Sequence, residues 1–465
     1  MEIRPLKLIA AGCNAEIISG SLDPSALNVC TDSRSAKPGD VFFAIKGEKF
    51  DGHDFIAAVA AKKVAALVVE KSKVNVLKSV VPPDVTLLAV TDVRVALGTL
   101  AAAYRAEFSL PVMAVGGSNG KTTTKELLAS VLRQKFSTLW SEASFNNDIG
   151  VPTTLLRLAK THSAAVLEVG TNHPGELAPL VKMIAPKFGI ITSIGREHLE
   201  FFGDVAGVAQ EEGTLAELLP ADGKLFLNGD DVWSEKIAAR TKASVVRVGA
   251  GEKNQWRAKK IRLDKNGVTF QVEADQKSFS GEYRVNLLGR HQVTNSMFAL
   301  AIGAEMGMSR AEMLRGLAEC QPAKMRMNYW EANGVRVLDD CYNANADSTL
   351  AALETLCGLP LQGRRVAVLG DMAELGIHSP AAHAEIGRRA AELKVGQLFA
   401  VGKMAPVMAQ AARDAGLVRV FEFLEVEGAV AAVKNFLKAG DVVLLKASRS
   451  SRLERIAETL KAGKN

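Results

Sequence analysis

The chain has 465 residues, 48% hydrophobic and 23% charged, with 57 Lys and Arg against 51 Asp and Glu for a formal net charge of +6. That length is too great for one hydrophobic core and implies two to four domains of ordinary globular composition. The modest positive charge suits anionic small molecules and shows no dense basic stripe, which excludes a duplex nucleic-acid binder. No run of about 18 apolar residues could span a bilayer as a helix, so membrane insertion is not expected.

The first segment, "MEIRPLKLIAAGCNAEI", carries charges at Glu2, Arg4 and Lys7 and does not read as a signal peptide. The five cysteines (Cys13, Cys30, Cys320, Cys341, Cys357) are scattered and never spaced C-x-x-C, as expected for reduced thiols in a cytoplasmic protein. "VFFAI" (41–45) and "AALVV" (65–69) read as strands, with "DFIAAVAAKK" a helix between them. A further helix, "VRVALGTLAAAYRAEF", runs into Ser109-Leu110-Pro111, where proline discourages continuation and sets a first domain boundary.

"PVMAVGG" is then a buried strand, and the chain from Thr122 onward a helix with Leu127, Leu128, Val131 and Leu132 on one face. "AAVLEVG" and "FGIITSIG" add strands with helical segments between them, the pattern of a mostly parallel sheet. From about 242 to 285 the texture changes to hairpins, Asn266-Gly267 marking a two-residue turn. "HQVTNSMFALAIGAEMG" is helical, and "YWEANGVRVLDD" is a second hairpin that opens a new region after Gln321-Pro322. "RRVAVLGD", "GQLFAVG", "VRVFEFL" and "DVVLLKAS" are strands of a second α/β unit. The fold class is α/β in three domains, with boundaries at 1–108, 109–320 and 321–465.

The stretch "AVGGSNGKTTTKEL" (114–127) joins a strand to a helix through glycines followed by a lysine. Glycines let backbone N–H groups face an anion, the helix N-terminus favours negative charge, and a lysine reaches terminal phosphates. The usual G-x-x-x-x-G-K-[ST] spacing fails, because Val115 stands where the first glycine belongs. A shorter G-x-x-G-K-T remains, from Gly117 through Ser118, Asn119, Gly120 and Lys121 to Thr122, with Thr123 next. The loop reads as a nucleotide site in which Thr122 would place its hydroxyl on Mg²⁺; the bland alternative is a glycine turn with an incidental lysine. Motor, kinase and ligase all remain open on the loop alone.

Other residues carry local signals. Glu168 ends an apolar strand, where a buried charge needs a partner such as a metal, although a solvated strand end is the rival. Asn146, Asn147, Asn172 and His173 sit in loops after apolar segments, where α/β sheets place ligands and where Asn also serves plain turns. His291 and Asn295 are one helical turn apart and share a face.

Taken in order, "GSNGKTT", "NNDIGVP", "LEVGTNHPGE", "SIGREHLEFFG", "GRHQVTN", "DDCYNANADS", "LGDMAELG" and "KASR" resemble the motif series of the Mur ligases, and "TDSRSAKPGDVFFAIKGEKFDGHDF" (31–55) resembles that family's domain for the UDP-sugar end of the substrate. The resemblance covers nearly the whole chain. It implies a small N-terminal UDP-binding α/β domain, a central P-loop-type ATPase domain with a mostly parallel sheet, and a C-terminal Rossmann-like α/β domain for the incoming group. Within the family, "YNAN" and "GDMAELG" most resemble the members that add D-alanyl-D-alanine to UDP-N-acetylmuramoyl-tripeptide. The implied reaction is ATP-dependent amide formation through an acyl phosphate, with ADP and phosphate released and Mg²⁺ required. The implied partners are those small-molecule substrates alone, for a monomer without nucleic acid.

The resemblance also implies roles. Lys121, Glu168, His198 and Arg326 would serve the reacting groups, with Thr122, Glu168 and His198 on Mg²⁺. Gly117 to Thr123 would hold the phosphates, and Asn147, His291, Asn295 and Asp340 the rest of the nucleotide. Asp32, Ser33, Arg34, Lys46 and His53 would meet the uridine, diphosphate and sugar. Asn146, Asn172 and His173 would line the substrate. Tyr342, Asn343, Asn345 and Asp347 would form the cleft wall, and Lys446, Ser448 and Arg449 would hold the peptide or its carboxylates. Two departures stand out. Glu212 occupies the place where most members carry a lysine carbamoylated by CO₂, and Ala447 replaces the glycine of "KGSR". A glutamate can supply a carboxylate directly, and a solvated helix carboxylate is its plain alternative. The open rivals are a sibling ligase adding a single amino acid and a nucleotide-binding protein without catalysis.

Overall fold

The computed structural model describes residues 1–360 and 363–462, and the elements and counts given are those of these residues. Contacts divide the chain into two compact units, Met1–Ala114 with Phe136–Gly170 and Ala178–Pro186, and Val115–Lys135 with Thr171–Leu177 and Lys187–Asn465.

The first unit carries a five-stranded sheet in the order Glu16–Ser19, Thr86–Val90, Ala66–Glu70, Asp40–Phe43, Asn28–Cys30, antiparallel only at its first pair. The strands expected at 41–45 and 65–69 are both present, as the shorter Asp40–Phe43 and as Ala66–Glu70. Their apolar residues, among them Val41, Phe42, Phe43, Leu67 and Val68, are fully buried, as a sheet covered on both faces requires. The helix expected over 54–63 is shorter. A 3₁₀ turn at Gly52–Phe55, capped by Asp51 on His53 N, continues as Ile56–Ala60 and stops before Lys63, which sits at a left-handed φ of 57°. Helix Val93–Arg105 starts on the Asp92 side chain and is tied at its end by Tyr104 Oη on Leu158 O (2.7 Å) and Arg105 Nε on Ile184 O (3.0 Å). In the same unit, strands Thr138–Trp140 and Ala164–Glu168 pair in parallel.

Strand Val112–Gly116 runs through the division between the units. In the second unit, strands Phe188–Ile191, Lys224–Asn228, Ser244–Gly249 and Trp256–Asp264 are parallel, and Gly267–Ala274 and Gly281–Val285 extend them antiparallel. The hairpin is present but its turn is one residue earlier than Asn266-Gly267: Asp264 lies opposite Gly267, so Lys265-Asn266 make the turn and Gly267, at a φ of 152°, opens the return strand. A second sheet runs Asn328–Ala332, Val335–Asp340, Val442–Lys446, Arg365–Gly370, Gln397–Val401, Val420–Phe423, parallel after its opening hairpin. This sheet packs helices on both faces, one side filled by Leu353, Leu356, Ile386 and Leu444, the other by Val337, Val368, Phe399 and Leu445. Ligands of such open α/β sheets sit outside the carboxyl ends of the strands. Those ends here are Gly116, Ile191, Asp340, Gly370 and Lys446.

Candidate functional site

The glycine turn is a loop of four residues, 117–120, between strand Val112–Gly116 and helix Lys121–Leu132. Gly117 and Gly120 have φ of 106° and 87°, a region that L side chains avoid. A Cβ on Gly117 would lie 2.7 Å from Thr192 N, and one on Gly120 would lie 2.6 Å from Asn295 Oδ1. The loop is held from behind: Ser118 N donates to Ser193 O (2.8 Å), Asn119 N to Ser193 Oγ (3.1 Å) and Gly195 N to Ser118 Oγ (2.9 Å). Lys121 curls back, its Nζ on Gly117 O (2.5 Å), Ser118 O (3.4 Å) and Glu197 Oε2 (3.2 Å). A rigid loop, a helix N-terminus and one cation therefore converge on one point, which is what an anion site needs.

That point opens into a cavity of about 260 Å³ lined by Asn119, Gly120, Thr123, His291, Asn295, Arg326, Asp340, Asp347 and Lys446, among others. His291 precedes helix Gln292–Glu305 without capping it, and its Nε2 is 3.0 Å from Gln292 Nε2. Asn295 is buried on the same face, donating to Gln292 Oε1 (2.9 Å) and accepting from Thr124 Oγ1 (3.2 Å). Arg326 stacks its guanidinium 4.0 Å from the Tyr342 ring centre, and its Nε is buried without a partner. Lys446 and Asp340 form a buried ion pair (2.6 Å), with Asp340 Oδ1 also accepting from Met327 N (3.0 Å) and Lys446 donating to Asn343 O (3.1 Å). Asn345 caps helix Ala346–Gly358 and donates through Nδ2 to Asn119 Oδ1 (3.0 Å). Ser448 is buried between Ala373 N and Ala344 O, whereas Arg449 is exposed.

Behind the loop stands a set of carboxylates. Glu212 ends helix Val205–Glu212, is 1% exposed, and accepts the Gly117 amide on Oε2 (2.7 Å). Burial, reinforced by Glu197 and opposed by Lys121, pushes its carboxyl up to about 7. Glu211 is satisfied by Gly175 N and Leu177 N, both at 2.9 Å. His198, at a left-handed φ of 49°, pairs through Nδ1 with Glu374, and that hydrogen bond holds the Glu374 carboxyl below its ordinary value. Glu176 gathers Asn172 N (2.8 Å), His173 N (3.1 Å) and His173 Nδ1 (3.0 Å).

In the first unit Glu168 is 1% exposed. Its Oε1 accepts from Asn146 Nδ2 (2.9 Å), and Oε2 is buried without a partner, which rules out the solvated strand end weighed above. Asn147 makes a turn, its Oδ1 accepting from Ile149 N and Gly150 N, and lines a cavity of about 600 Å³ together with Asn28, Asp32, Ser35, Lys37 and Thr153. Of the N-terminal expectations only Asp32 lines that cavity. Ser33 offers its carbonyl to Lys62 (2.8 Å), Arg34 folds onto Asp32 (2.6 Å), and exposed Lys46 pairs with Asp51 only through a backbone β-bridge. His53 points inward, with Nδ1 2.6 Å from Asp51 Oδ1 and Nε2 accepting from Glu70 N (3.0 Å), so both nitrogens are used by the fold.

Sequence reasoning passed over Glu197, Glu374 and Arg196. Glu197 stands beside His198 in "REHLE" and Glu374 in "GDMAELG", motifs that were already noted; Arg196 grips Asp347 (2.7 Å) and Glu385 (2.5 Å), a pairing that 151 and 189 residues of separation hide.

Three family models match: the Mur ligase family catalytic domain over residues 27–105, the Mur ligase middle domain over 115–303, and the Mur ligase glutamate ligase domain over 325–449. The Escherichia coli (strain K12) UDP-N-acetylmuramoyl-tripeptide–D-alanyl-D-alanine ligase is 34% identical over 96% of each chain. A MurF crystal structure from Acinetobacter baumannii aligns over 99% of each chain at a TM-score of 0.89 and 31% identity. The MurF ligase of Thermotoga maritima, solved in complex with ADP, aligns over 94% of this chain and 97% of its own at a TM-score of 0.80 and 27% identity. The chain belongs to the Mur ligase family, among relatives named UDP-N-acetylmuramoyl-tripeptide–D-alanyl-D-alanine ligase.

Proposed function

We propose that the protein joins D-alanyl-D-alanine to UDP-N-acetylmuramoyl-tripeptide at the expense of ATP. The observation that carries this reading is the loop at 117–120 opening into a cavity that Arg326 also lines, so that a second cation stands near the phosphates that Lys121 would hold. In the first step an oxygen of the tripeptide's terminal carboxylate takes the γ-phosphoryl group, the bond to ADP breaks, and an acyl phosphate forms. The dipeptide amine then attacks the acyl carbon, the tetrahedral intermediate expels inorganic phosphate, and the amine loses its proton. Each partner is anionic, so fixed cations and oriented donors supply most of the acceleration.

Lys121 and the loop would hold the terminal phosphates, with His291 and Asn295 around the remainder of the nucleotide; Asn147, expected there, lines the cavity at Asp32 instead. Arg326 keeps its planar fork oriented by stacking on Tyr342. Asp340 anchors Lys446, and Asn343, Asn345 and buried Ser448 shape the wall; Arg449 is the exposed cation available to a peptide carboxylate. The orphaned Oε2 of buried Glu168 fits a metal ligand in the first unit, and Thr122 and His198 are the Mg²⁺ candidates of the second. When bound, the ion would neutralise developing phosphate charge. The 600 Å³ cavity at Asp32 is assigned to the UDP-sugar end; Ser33, Arg34 and Lys46 are kept as proposed contacts of that end, and His53 supports the local fold from inside. The functional segments are placed at 1–108, 109–320 and 321–465, in a monomer working in the cytoplasm, where UDP-linked precursors are made. Among the described residues no helix is long and apolar enough to cross a membrane.

The test is to mix protein, ATP, Mg²⁺, UDP-N-acetylmuramoyl-tripeptide and D-alanyl-D-alanine, with single amino acids in parallel. The expected result by mass spectrometry is the pentapeptide product with orthophosphate, and ¹⁸O from the tripeptide carboxylate appearing in that phosphate. Pyrophosphate, or product only with a single amino acid, would overturn the reading.

A further inference from the structure

Residues 193–196 form a short strap with the phosphate loop on one side and helices of the second sheet on the other. On the loop side, Ser193 O accepts from Ser118 N (2.8 Å), Ser193 Oγ from Asn119 N (3.1 Å), and Gly195 N donates to Ser118 Oγ (2.9 Å). Ile194 N is pinned by Asp231 Oδ2 (2.7 Å). At the next residue the strap turns to the helices. Arg196 N donates to Asp347 Oδ2 (2.7 Å), and its guanidinium meets Asp347 Oδ1 through Nε (2.9 Å) and Nη2 (2.7 Å) and Glu385 Oε2 through Nη1 (2.5 Å). Asp347 lies in the first turn of helix Ala346–Gly358 and Glu385 in helix Ser379–Glu392, so one planar fork grips two helices. The approach is close: a Cβ on Gly195 would lie 2.5 Å from Asp347 Oδ2. Two residues before Asp347, Asn345 donates to Asn119 Oδ1 (3.0 Å) in the loop itself. The three charged side chains are 30%, 35% and 32% exposed, so the pairs contribute little stability and their worth is in geometry.

Resting on the ligase reading above, we propose that Arg196 is a positioning residue that couples the phosphate loop to the wall at 342–347, which delivers the dipeptide amine. The strap that holds the loop from behind is the same four residues that hold Asp347, so the position of the filled loop sets the position of the wall. Arg196 itself touches neither nucleotide nor dipeptide; it acts through Asp347 and Glu385. With the fork in place the wall stands over the acyl phosphate, and the amine is the nucleophile that reaches it. With the fork removed the wall loosens and water attacks the acyl carbon instead. That attack returns the tripeptide carboxylate and releases phosphate with no amide formed.

Arg196→Gln keeps the backbone amide on Asp347 and removes the charge. Phosphate released per pentapeptide formed should rise at least twofold in this variant, and KM for D-alanyl-D-alanine at least fivefold, while KM for ATP stays within twofold of wild type. Arg196→Lys and Glu385→Gln, each of which leaves one ion pair, should fall between the two. Amide hydrogen exchange supplies a readout that needs no turnover. Saturating ADP should slow exchange in helix Ser379–Glu392 of wild type but not of Arg196→Gln, whereas residues 117–124 should slow in both. Among the described residues that helix contributes none to the lining of the cavity, so direct contact with ADP does not account for its protection. A phosphate ratio less than twofold above wild type, or equal ADP protection of that helix in the two proteins, would overturn the proposal. Wild type that ligates with no exchange difference refutes this proposal alone. Wild type that fails to ligate, with the exchange difference intact, refutes the proposed function and leaves the linkage standing.

Discussion

Lys446 Nζ and Asp340 Oδ2 meet at 2.6 Å across paired ends of the parallel strands Val335–Asp340 and Val442–Lys446, with side chains 3% and 13% exposed. The pair closes the cavity on the side of the second sheet and fixes Met327 and Asn343 beside it. Removing one partner strands the other as an unpaired buried charge, which costs about 3–5 kcal/mol. Asp340→Ala should therefore lower the stability of the second sheet by about that amount in chemical denaturation. Asp340→Asn with Lys446→Met, which removes both charges, should recover most of the loss.

Lys121 presents the loop's own cation, and its carbonyl contacts hold it ready at the mouth of the helix. Lys121→Ala should reduce turnover by a factor on the order of 10²–10³, the scale seen when one preorganised donor to a developing charge is lost. The far-ultraviolet dichroism should be unchanged. Full ligase activity in this variant would sink the assignment of the loop.

Much of this architecture was legible from the chain. The strands at 112–116, 164–168, 188–191, 365–370, 397–401 and 442–446 are continuous apolar runs, the mark of parallel strands buried on both faces. Asn266-Gly267 marked a hairpin, but its register slipped by one: the turn is Lys265-Asn266, because Gly267 pairs with Asp264 across the ladder. The side-chain clusters were less legible. His53 looks like an exposed loop histidine in sequence, and only the pairing of its two nitrogens with Asp51 and Glu70 N shows it to be structural. Glu374 reaches His198 across 176 residues, a pairing that no local pattern encodes.

Bicarbonate provides a separate test of the departure at Glu212. A carboxylate written into the sequence needs no CO₂ to form, so activity in CO₂-depleted buffer should match that in bicarbonate. Strong restoration by added bicarbonate would mean that some lysine is modified instead.

His383 is fully buried in helix Ser379–Glu392 and ties the first turn of that helix to the loop at Met372. Nδ1 lies 2.7 Å from Ser379 O and must donate to it, which leaves Nε2 as the acceptor for Met372 N (2.9 Å). Burial holds this imidazole below its ordinary pKa of 6.5, and protonation would set one donor against another at Met372. Because the folded pKa is depressed for a base, the unfolded chain binds the extra proton first. Its stabilisation is thus complete above pH 6.5 and is lost as the pH falls below that value. Denaturation midpoints should drop between pH 7.5 and 5.5 in wild type. His383→Phe should be less stable at pH 7.5 by about 1–3 kcal/mol, the cost of an unsatisfied buried amide, and this component of the pH dependence should vanish.

Gly117 and Gly416 both take a left-handed backbone, with φ of 106° and 92°, yet they differ in what a side chain would meet. Around Gly416 there is nothing within 4 Å, so Gly416→Ala bears the conformational strain alone, about 1 kcal/mol. A Cβ on Gly117 would strike Thr192 N at 2.7 Å and Ser193 O at 2.9 Å, backbone atoms at the end of a buried strand that cannot step aside. The loop itself would have to move, and with it the Gly117 amide on Glu212 and the Gly117 carbonyl on Lys121. Gly117→Ala should therefore weaken ADP binding at least tenfold by calorimetry, whereas Gly416→Ala should leave it unchanged at a comparable loss of backbone freedom. Equal ADP affinity in the two variants would mean that the compact turn is tolerant of displacement and does not set the phosphate position.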